Sequence, residues 1–292
     1  MQYKIPPKLA MINSFAGYGR CSTTEALPII SAMRVQACPV PTSIFSNHTG
    51  FSTHYCEDFT EQMKEYLKQW NHLGLKFDGI YCGFLGNMHQ LPIVSDFLNN
   101  QREKGCPMIL VDPAMGDHGK LYRVITPEHC HAMKEQNKLA DIITPNITEA
   151  CLLTDTEYRD GEWTSDELSD ICQKLHAKGP SKIVITGLLH AMPDREEKFF
   201  TNYTSVRQEN GQIMQCCCDT PVAGPSRHGT GDIFASILAA DAVKGVDFTE
   251  SVKKAAKFIS ICIQVSEELG IPEKDGVCFE NFLHLLTEDT FN

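Results

Sequence analysis

The stretch GPSRHGTGDIFASILAADAV, residues 224–243, joins a glycine-containing loop to an almost wholly apolar segment. Glycine permits the positive φ angles and the close backbone approach that a tight turn requires. After the turn, apolar residues recur at the spacing of a buried helix face, at Ile233, Phe234, Ile237 and Leu238. Asp232 lies at the junction, where an ionised carboxylate is costly to desolvate. The stretch therefore predicts a core helix that begins with an unusual charged residue.

The turn and the start of this helix together are typical of an anion-binding site. The first N–H groups of a helix lack intrahelical partners, and the macrodipole makes that end partly positive. A phosphate could therefore bind at Gly229-Thr230-Gly231. Asp232 could take the proton of a hydroxyl group that attacks this phosphate. Alternatively, Asp232 is only a helix cap and the glycines only form a turn. The turn by itself does not separate the two interpretations.

Short apolar runs alternate with helical patterns along the rest of the chain. The predicted strands are residues 8–14, 38–45, 77–85, 107–113, 140–146 and 181–189. The predicted helices are 56–70, 91–105 and 165–179, the last capped by Ser165 and ended by Gly179. Segments 198–206 and 213–222 predict a hairpin, and the chain from Asp232 onward is predicted to be mostly helical. This alternation favours a mostly parallel sheet with helices on both faces, in one domain spanning residues 1–292.

Composition and charge limit the classes of partner. The chain has 292 residues and a net charge of −11, from 26 basic and 37 acidic side chains. A nucleic-acid-binding face needs clustered Lys and Arg, so that class is not favoured. No stretch approaches the ~18 apolar residues of a membrane span. Pro6 and Pro7 lie where a signal peptide would have its apolar run. We expect a cytoplasmic protein that binds neither nucleic acid nor membrane.

Thirteen cysteines are present, but no C-x-x-C pair occurs among them. The adjacent Cys216, Cys217 and Cys218 alternate between the faces of a predicted strand and cannot readily bridge one another. We therefore expect reduced cysteines that act as small core hydrophobes. The segment EHCH, residues 128–131, does not predict a metal site, because its side chains would point in too many directions around a helix.

Polar residues follow the predicted strands within a few positions. They are Ser14, Asn47, His48, Thr49, Asp112, Asp117, Thr144, Asn146, Glu149 and Thr186. In an open parallel sheet, ligands bind at the carboxyl ends of the strands. We expect these residues to line one crevice.

The motif GTGD opening a buried helix resembles the signature of small-molecule kinases of the ribokinase superfamily. More specifically, the chain resembles the pyridoxal kinases, the vitamin B6 kinase branch. The matching segments, in the family's order, are SFAGYGR (14–20), FSNHTGF (45–51), FDGIYCGFLGN (77–87), VDPAMGD (111–117), ADIITPNITEACLL (140–153) and GTGDIFAS (229–236). The combination of FSNHTG, DPAMGD and ITPN is specific for that branch, whereas GTGD marks only the superfamily. The resemblance implies a three-layer α/β/α ribokinase-like fold with a mostly parallel central sheet, and a homodimer.

The resemblance also implies a pocket for a B6 vitamer. Ser14 would hydrogen-bond the pyridine ring, and Thr49 would lie over it, with His48 in the same loop. Phe84 stands where many relatives carry a tyrosine that lines the pocket, so one hydrogen bond would be lost. That loss would alter the preference among vitamers.

The implied reaction transfers the γ-phosphoryl group of ATP to the 5′-hydroxymethyl group of pyridoxal, pyridoxine or pyridoxamine. Asp232 would accept the alcohol proton, and Gly229, Thr230 and Gly231 would stabilise the phosphoryl charge. A hydroxymethylpyrimidine kinase of the same fold could use the same turn. A non-catalytic B6-binding protein is a further alternative, although a carrier has no need of a base.

The nucleotide side of the site is likewise implied by the resemblance. The ATP-contacting positions would be Asp112, Asp117, Thr144, Asn146, Glu149, Thr186 and Gly231, with residues 217–228 flanking the nucleotide. Mg²⁺ would be held by Asp117 and Glu149, since hard carboxylate oxygens suit it. K⁺ is implied by the family only. Residues 116–124 would form a flap over the phosphates that excludes water.

Overall fold

The computed structural model describes residues 5–191 and 198–287. Within these ranges the strands are β1 (Lys8–Ala16), β2 (Gln36–Phe45), β3 (Cys56–Asp58), β4 (Gly79–Cys82), β5 (Ile109–Val111), β6 (Gly116–Asp117), β7 (Lys120–Leu121), β8 (Ile142–Ile143), β9 (Lys182–Ala191), β10 (Lys198–Arg207) and β11 (Ile213–Pro221). The helices are α1 (Thr23–Ala32), α2 (Thr60–His72), α3 (Gln90–Glu103), α4 (Pro127–Asn137), α5 (Ile147–Thr154), α6 (Ser165–His176), α7 (Thr230–Ala242) and α8 (Phe248–Glu268). Short 3-10 helices follow at Glu273–Asp275 and Glu280–Leu286.

Nine strands form one twisted sheet in the order β11-β10-β9-β8-β5-β4-β1-β2-β3. The six strands from β9 to β2 are parallel, and the antiparallel strands β3, β10 and β11 lie at the two edges. Helices α2 to α6 cover one face through side chains such as Met63 and Phe97. Helices α1, α7 and α8 cover the other through Ile29, Ile237 and Phe258. The predicted three-layer α/β/α architecture with a mostly parallel sheet is confirmed.

The core fixes the position of the glycine turn. Ile233 and Ile237 of α7 are completely buried against the sheet. Burial of such a side chain contributes about 1.5–3 kcal/mol, so the helix has little freedom to move along its axis. The first turn of α7 therefore lies at the carboxyl edge of the parallel strands, next to the end of β1.

Most predicted elements are present, with three corrections. Residues 56–58 are not the start of a helix but an edge strand, because Cys56–Asp58 pairs antiparallel with Ser43–Phe45. The central strands β4, β5 and β8 are shorter than predicted, because pairing ends where the chain turns into the polar loops. Thr164, not Ser165, caps α6, since its side chain accepts the N–H of Glu167 in a capping box.

All thirteen cysteines are free thiols, as expected. The prediction that they are core residues holds for eight and is wrong for Cys56, Cys216 and Cys217, which are exposed. These three lie on the edge strands β3 and β11, where one face meets solvent. Among the described helices, none is both long enough and apolar enough to cross a bilayer. Residues 1–4 belong to the N-terminal segment for which the sequence does not favour a signal peptide, and they lie outside the described ranges.

Candidate active site

The carboxylate of Asp232 is held by two donors from separate segments. Asn13, near the end of β1, donates from Nδ2 to Oδ1 of Asp232 over 2.9 Å. The main-chain N–H of Ser22 donates to Oδ2 over 2.7 Å. Asp232 is half-buried at the start of α7 and therefore faces the carboxyl ends of the strands. Both oxygens are fixed in direction, as expected of a group that must meet a ligand in one orientation.

Asn13 was not identified from the sequence. Its Oδ1 accepts the main-chain N–H groups of Ser14 at 2.8 Å and Phe84 at 3.2 Å, so its Nδ2 must face Asp232. The next strand approaches so closely that a side chain at Gly83 would lie 2.7 Å from the Asn13 amide. The signal available in the sequence was an amide residue inside the apolar run KLAMINS. The structure buries this amide completely. Buried polar groups need hydrogen-bond partners, and the partners of this amide are Ser14, Phe84 and Asp232 of the candidate site.

Ser22, also missed, has φ 55, a left-handed value that is rare outside glycine. This conformation lets its N–H point at Asp232 immediately before α1 begins. Strain of this kind persists only where the surrounding structure fixes it, and it concentrates at functional sites. The hydroxyl of Ser22 accepts a hydrogen bond from the Ser14 hydroxyl at 2.9 Å. The buried Ser14 is thus linked to Asp232 through Ser22, to which its hydroxyl donates, and its contact with a pyridine ring stays a prediction.

Burial sets the electrostatics of the two central aspartates. It raises the pKa of Asp232, while hydrogen bonds from Ser22 and Asn13 act in the opposite direction. Burial, together with the charge of Asp232, raises the pKa of Asp112 to about 7, against the hydrogen bond from Thr144. Two like charges in one crevice cannot both be held easily, so the hydrogen bonds to Asp232 favour ionisation of that carboxyl over Asp112.

The two glycines of the turn have different surroundings. Gly229 has φ +85, and a Cβ there would clash with the Glu25 carboxylate and the Arg20 carbonyl oxygen. A Cβ at Gly231 would meet nothing within 4 Å. Gly229 is therefore glycine for conformation and packing, whereas Gly231 leaves space in front of the first amides of α7. Thr230 donates from its hydroxyl to the Arg227 carbonyl at 3.2 Å and closes the turn.

Glu25 on α1 is a further acid that the sequence did not reveal. It is completely buried behind the turn, and neither carboxylate oxygen has a hydrogen-bond partner among the described residues. Burial, and secondarily the charge of Asp232, raises the pKa of Glu25 well above its usual range. Burial therefore favours the protonated form of Glu25, which would oppose a phosphate at the turn less than a carboxylate would.

Three of the residues predicted to contact ATP form one cluster. Asn146 caps α5 and donates from Nδ2 to the Gly116 carbonyl at 2.8 Å. The buried Glu149 accepts main-chain N–H groups from Asn146 at 2.8 Å and Met115 at 3.0 Å. Thr186 is joined to Asn146 by a parallel bridge. Burial, followed by the charge of Asp112, raises the pKa of Glu149.

Asp117 stands apart from this cluster. It lies on the β6–β7 hairpin of the predicted flap, and its exposed carboxylate accepts the N–H of His118 at 2.8 Å. In residues 5–191 and 198–287, no three His, Cys, Asp or Glu side chains are placed to hold a metal ion. Asp117 and Glu149 are thus not a preformed metal site. A Mg²⁺ ion here would need oxygen ligands from a bound phosphate as well.

The loop predicted to cover the substrate is organised by His48. Its Nδ1 accepts the N–H of Gly50 at 3.1 Å, so the proton is on Nε2, which lies 2.6 Å from the Lys274 carbonyl oxygen. His48 is buried and contacts the His228 ring in a tilted arrangement, with ring centres 4.5 Å apart. Thr49 is exposed on the same loop, and Phe84 is half-buried against Phe45. His48 therefore positions the loop and has no ring nitrogen left for a ligand.

Comparison with known proteins shows which family this chain resembles. The profile of the phosphomethylpyrimidine kinase family matches residues 27–277. A presumed phosphomethylpyrimidine kinase of Bacteroides thetaiotaomicron, in a crystal form with pyridoxal, is 32% identical with a TM-score of 0.87, covering 98% of this chain and 96% of that one. The pyridoxine kinase of Bacillus subtilis is 29% identical over 202 residues, 68% of each chain. A hydroxymethylpyrimidine/phosphomethylpyrimidine kinase of Aquifex aeolicus is 24% identical over 193 residues, 66% of this chain and 69% of its own.

These similarities confirm the ribokinase-like fold and the resemblance to vitamin B6 kinases that the motifs predicted. The family match runs from within α1 through the glycine turn and Asp232 to the segment that follows α8, and Asn13 and Ser22 precede it. The chain belongs to the phosphomethylpyrimidine kinase family.

Proposed function

We propose that this protein transfers the γ-phosphoryl group of ATP to the 5′-hydroxymethyl group of pyridoxal, pyridoxine or pyridoxamine. The observation that carries the proposal is the Asp232 carboxylate, fixed by Asn13 and Ser22 beside the open amides at Gly231. The choice of a B6 vitamer is supported by the pyridoxal found with the Bacteroides relative. A flat heteroaromatic alcohol suits a pocket with a few fixed polar groups and aromatic walls.

In this mechanism Asp232 accepts the proton of the alcohol as its oxygen attacks the phosphorus atom. The amides at the start of α7 and the positive end of its dipole stabilise charge on the phosphoryl oxygens. Fixed donors of this kind act mainly by positioning and electrostatic stabilisation, which dominate phosphoryl transfer. Burial raises the pKa of Glu25 behind the turn, which favours its neutral form and so preserves that positive potential. Closure of the flap at residues 116–124 would exclude water from the reacting groups.

The nucleotide would lie along the cluster of Thr144, Asn146, Glu149 and Thr186, with its terminal phosphates toward Gly231. A Mg²⁺ ion bound with ATP would neutralise phosphate charge and would take carboxylate ligands from Asp112 and, through the flap, Asp117. Glu149 already accepts two main-chain N–H groups, so it would act behind the metal, for example through a water molecule.

A second candidate function is phosphorylation of hydroxymethylpyrimidine. It is favoured by the name of the matching family and by the Aquifex relative. Phe84 also offers no phenol to a pyridine substituent. A non-catalytic B6-binding role is the third alternative, and the fixed Asp232 speaks against it. The cytoplasmic location and the homodimer stay predictions from the sequence.

The test is a product assay with the purified protein, ATP and Mg²⁺. Each of pyridoxal, pyridoxine, pyridoxamine and hydroxymethylpyrimidine is supplied in turn, and phosphorylated product is measured by mass. We expect a B6 vitamer to exceed hydroxymethylpyrimidine by at least about tenfold in kcat/KM, the scale of one or two pocket contacts. A preference for hydroxymethylpyrimidine would support the second function. Pyridoxal binding without any product would support the third. The variant Asp232→Asn, purified in parallel, controls for contaminating kinases.

A further inference from the structure

The segment 271–276, which follows α8, presents its carbonyl oxygens to the glycine turn. The carbonyls of Ile271, Pro272, Lys274, Asp275 and Gly276 each accept a hydrogen bond from a side chain. The donors are Arg227, His48 and Arg20, all from the loops that surround Asp232. Five inward carbonyls create a local negative potential, and their donors, two of which are arginines, balance it.

Arg227 supplies most of that balance. It lies two residues before Gly229, and its side chain is only 2% exposed. Nη1 donates to the carbonyls of Pro272 at 3.2 Å and Gly276 at 3.0 Å. Nη2 donates to the carbonyl of Ile271 at 2.8 Å and pairs with the Glu267 carboxylate. One buried guanidinium thus joins α8, the segment after it and the turn that precedes α7.

These oxygens are of the kind that a monovalent cation binds. K⁺ sites are built from main-chain carbonyl oxygens, often with a carboxylate nearby. The resemblance to B6 kinases implies a K⁺ requirement, but a K⁺ ion does not fit this carbonyl cluster, because guanidinium N–H groups already use its oxygens. The positive charge here belongs to the chain itself.

We propose that Arg227 is a built-in cation that orders the glycine turn. Arg227 is a positioning residue in this account, since it acts through the turn. The contacts give the route: a Cβ at Gly276 would approach the carbonyls of Arg20 and His228 at 2.9 and 3.3 Å, so the segment packs directly on the residues before Gly229. Loss of the guanidinium would release the segment and let the amides of 229–231 drift. Such misplacement near a reacting group costs about 100-fold.

The inference rests on the proposed kinase function for its kinetic arm, and it also has a readout that needs no activity. Hydrogen exchange is measured on the peptide spanning residues 225–232 in wild type and Arg227→Ala, with and without guanidinium ion at tens of millimolar. We expect faster exchange in the variant, and slowing by guanidinium but not by tetramethylammonium.

The kinetic arm compares wild type and Arg227→Ala in the same buffer and salt. The variant Arg227→Ala is expected to lose about 100-fold in kcat, with a smaller change in KM for the alcohol, and to regain at least about fivefold with guanidinium.

Arg102→Ala is the matched control. Arg102 also donates to two main-chain carbonyls, of Cys106 and Leu139, and pairs with Asp141, but at the opposite edge of the sheet. Its loss should lower thermal stability without changing kcat or the exchange of residues 225–232. If Arg227→Ala does not fold, Arg227→Lys replaces it, and an unchanged kcat and exchange rate in that variant would overturn the proposal.

The outcomes are separable. An Arg227→Ala variant with unchanged exchange at the turn contradicts the inference and leaves the kinase function standing. No product from wild type contradicts the proposed function, and the exchange measurement then decides the role of Arg227 by itself.

Discussion

The ionised state of Asp232 depends on two donors that come from different parts of the chain. Asn13 and Ser22 each stabilise the carboxylate against the burial that raises its pKa. A charge-assisted hydrogen bond of this kind contributes about 1.5–3 kcal/mol. One such bond therefore corresponds to about one to two pKa units.

Removal of the Asn13 amide should shift the acid limb of the activity profile. In Asn13→Ala the Asp232 carboxylate loses one donor, so its pKa rises and a higher pH is needed to ionise the base. We expect the acid limb of kcat/KM to move up by about one pH unit, with activity largely recovered at high pH. The measurement is kcat/KM between pH 5 and pH 9. An unshifted acid limb would show that the limb does not report Asp232, or that Asn13 does not tune it.

Asp112 should make the protein less stable as pH rises. Its folded-state pKa of about 7 lies above the value in an unfolded chain. The folded state therefore retains a proton that the unfolded state releases, and stability falls between about pH 4 and pH 7 and then levels off. Asp112→Asn removes this cost, so its advantage over wild type should grow over the same interval to a few kcal/mol.

Urea unfolding at pH 4, 5.5, 7 and 8 measures the Asp112→Asn effect. Asp170→Asn, which removes an exposed aspartate, controls for the loss of one negative charge. A stability difference that does not change with pH would contradict the assignment of the raised pKa to Asp112.

At the residue scale the sequence identified the groups that carry chemistry and missed those that orient them. Asp232, Asp112 and Glu149 belong to motifs whose spacing is visible in the chain. Asn13, Ser22 and Glu25 act through contacts between segments that lie far apart in sequence. The left-handed conformation of Ser22 leaves no local pattern, and the amide of Asn13 within an apolar run indicates a buried polar group but not its partners.

Among the elements, the turn before α7 allows packing and ligand binding to be separated by two single substitutions. Gly229→Ala places a methyl group against Glu25 and Arg20 in a left-handed conformation. We expect it to lower the free energy of unfolding by about 1–3 kcal/mol or more. Gly231→Ala meets no neighbour, so its melting temperature should stay within about 3 °C of wild type, although it fills the space before the amides.

Kinetics complete the comparison between the two glycine variants. Gly231→Ala is expected to lose about 100-fold or more in kcat, comparable to removing one oxyanion donor. Thermal melting and steady-state assays on both proteins are sufficient. A Gly231→Ala enzyme with wild-type turnover would place the phosphate elsewhere.

The predictions of secondary structure were wrong where strand pairing in the folded protein overrides the local sequence pattern. The segment Cys56–Asp58 reads as the first turn of an amphipathic helix, but pairing with β2 draws it into the sheet edge. The central strands contain only two to four residues because their neighbours also turn away at the carboxyl edge. That early end of pairing opens the crevice, and a single strand's sequence does not encode it.

For the molecule as a whole, the thiols provide a simple check of the burial pattern. We expect three cysteines, Cys56, Cys216 and Cys217, to react fast with a thiol reagent in the native protein. All thirteen should react after denaturation without reductant. The buried thiols are protected by packing and by pKa values that burial raises, as for Cys82, with a pKa of about 12. Fewer than thirteen reactive thiols after denaturation would reveal a disulfide and contradict this account.

The order of layers and the position of the site could be predicted from the sequence, because alternating strands and helices leave few topologies and ligands bind at the carboxyl edge. The choice of acceptor alcohol could not be predicted from the sequence. It depends on the exact shape between His48, Phe84 and the end of β1, which lie in three separate parts of the chain.

The central claim is that Asp232 removes the proton from an alcohol while the amides of the turn hold the phosphate. Its most direct test is the turnover of Asp232→Asn, which keeps the shape of the side chain and removes its basicity. We expect kcat to fall at least about 100-fold while ATP affinity and thermal stability remain close to wild type. An Asp232→Asn enzyme that phosphorylates its acceptor at near wild-type kcat would contradict the account.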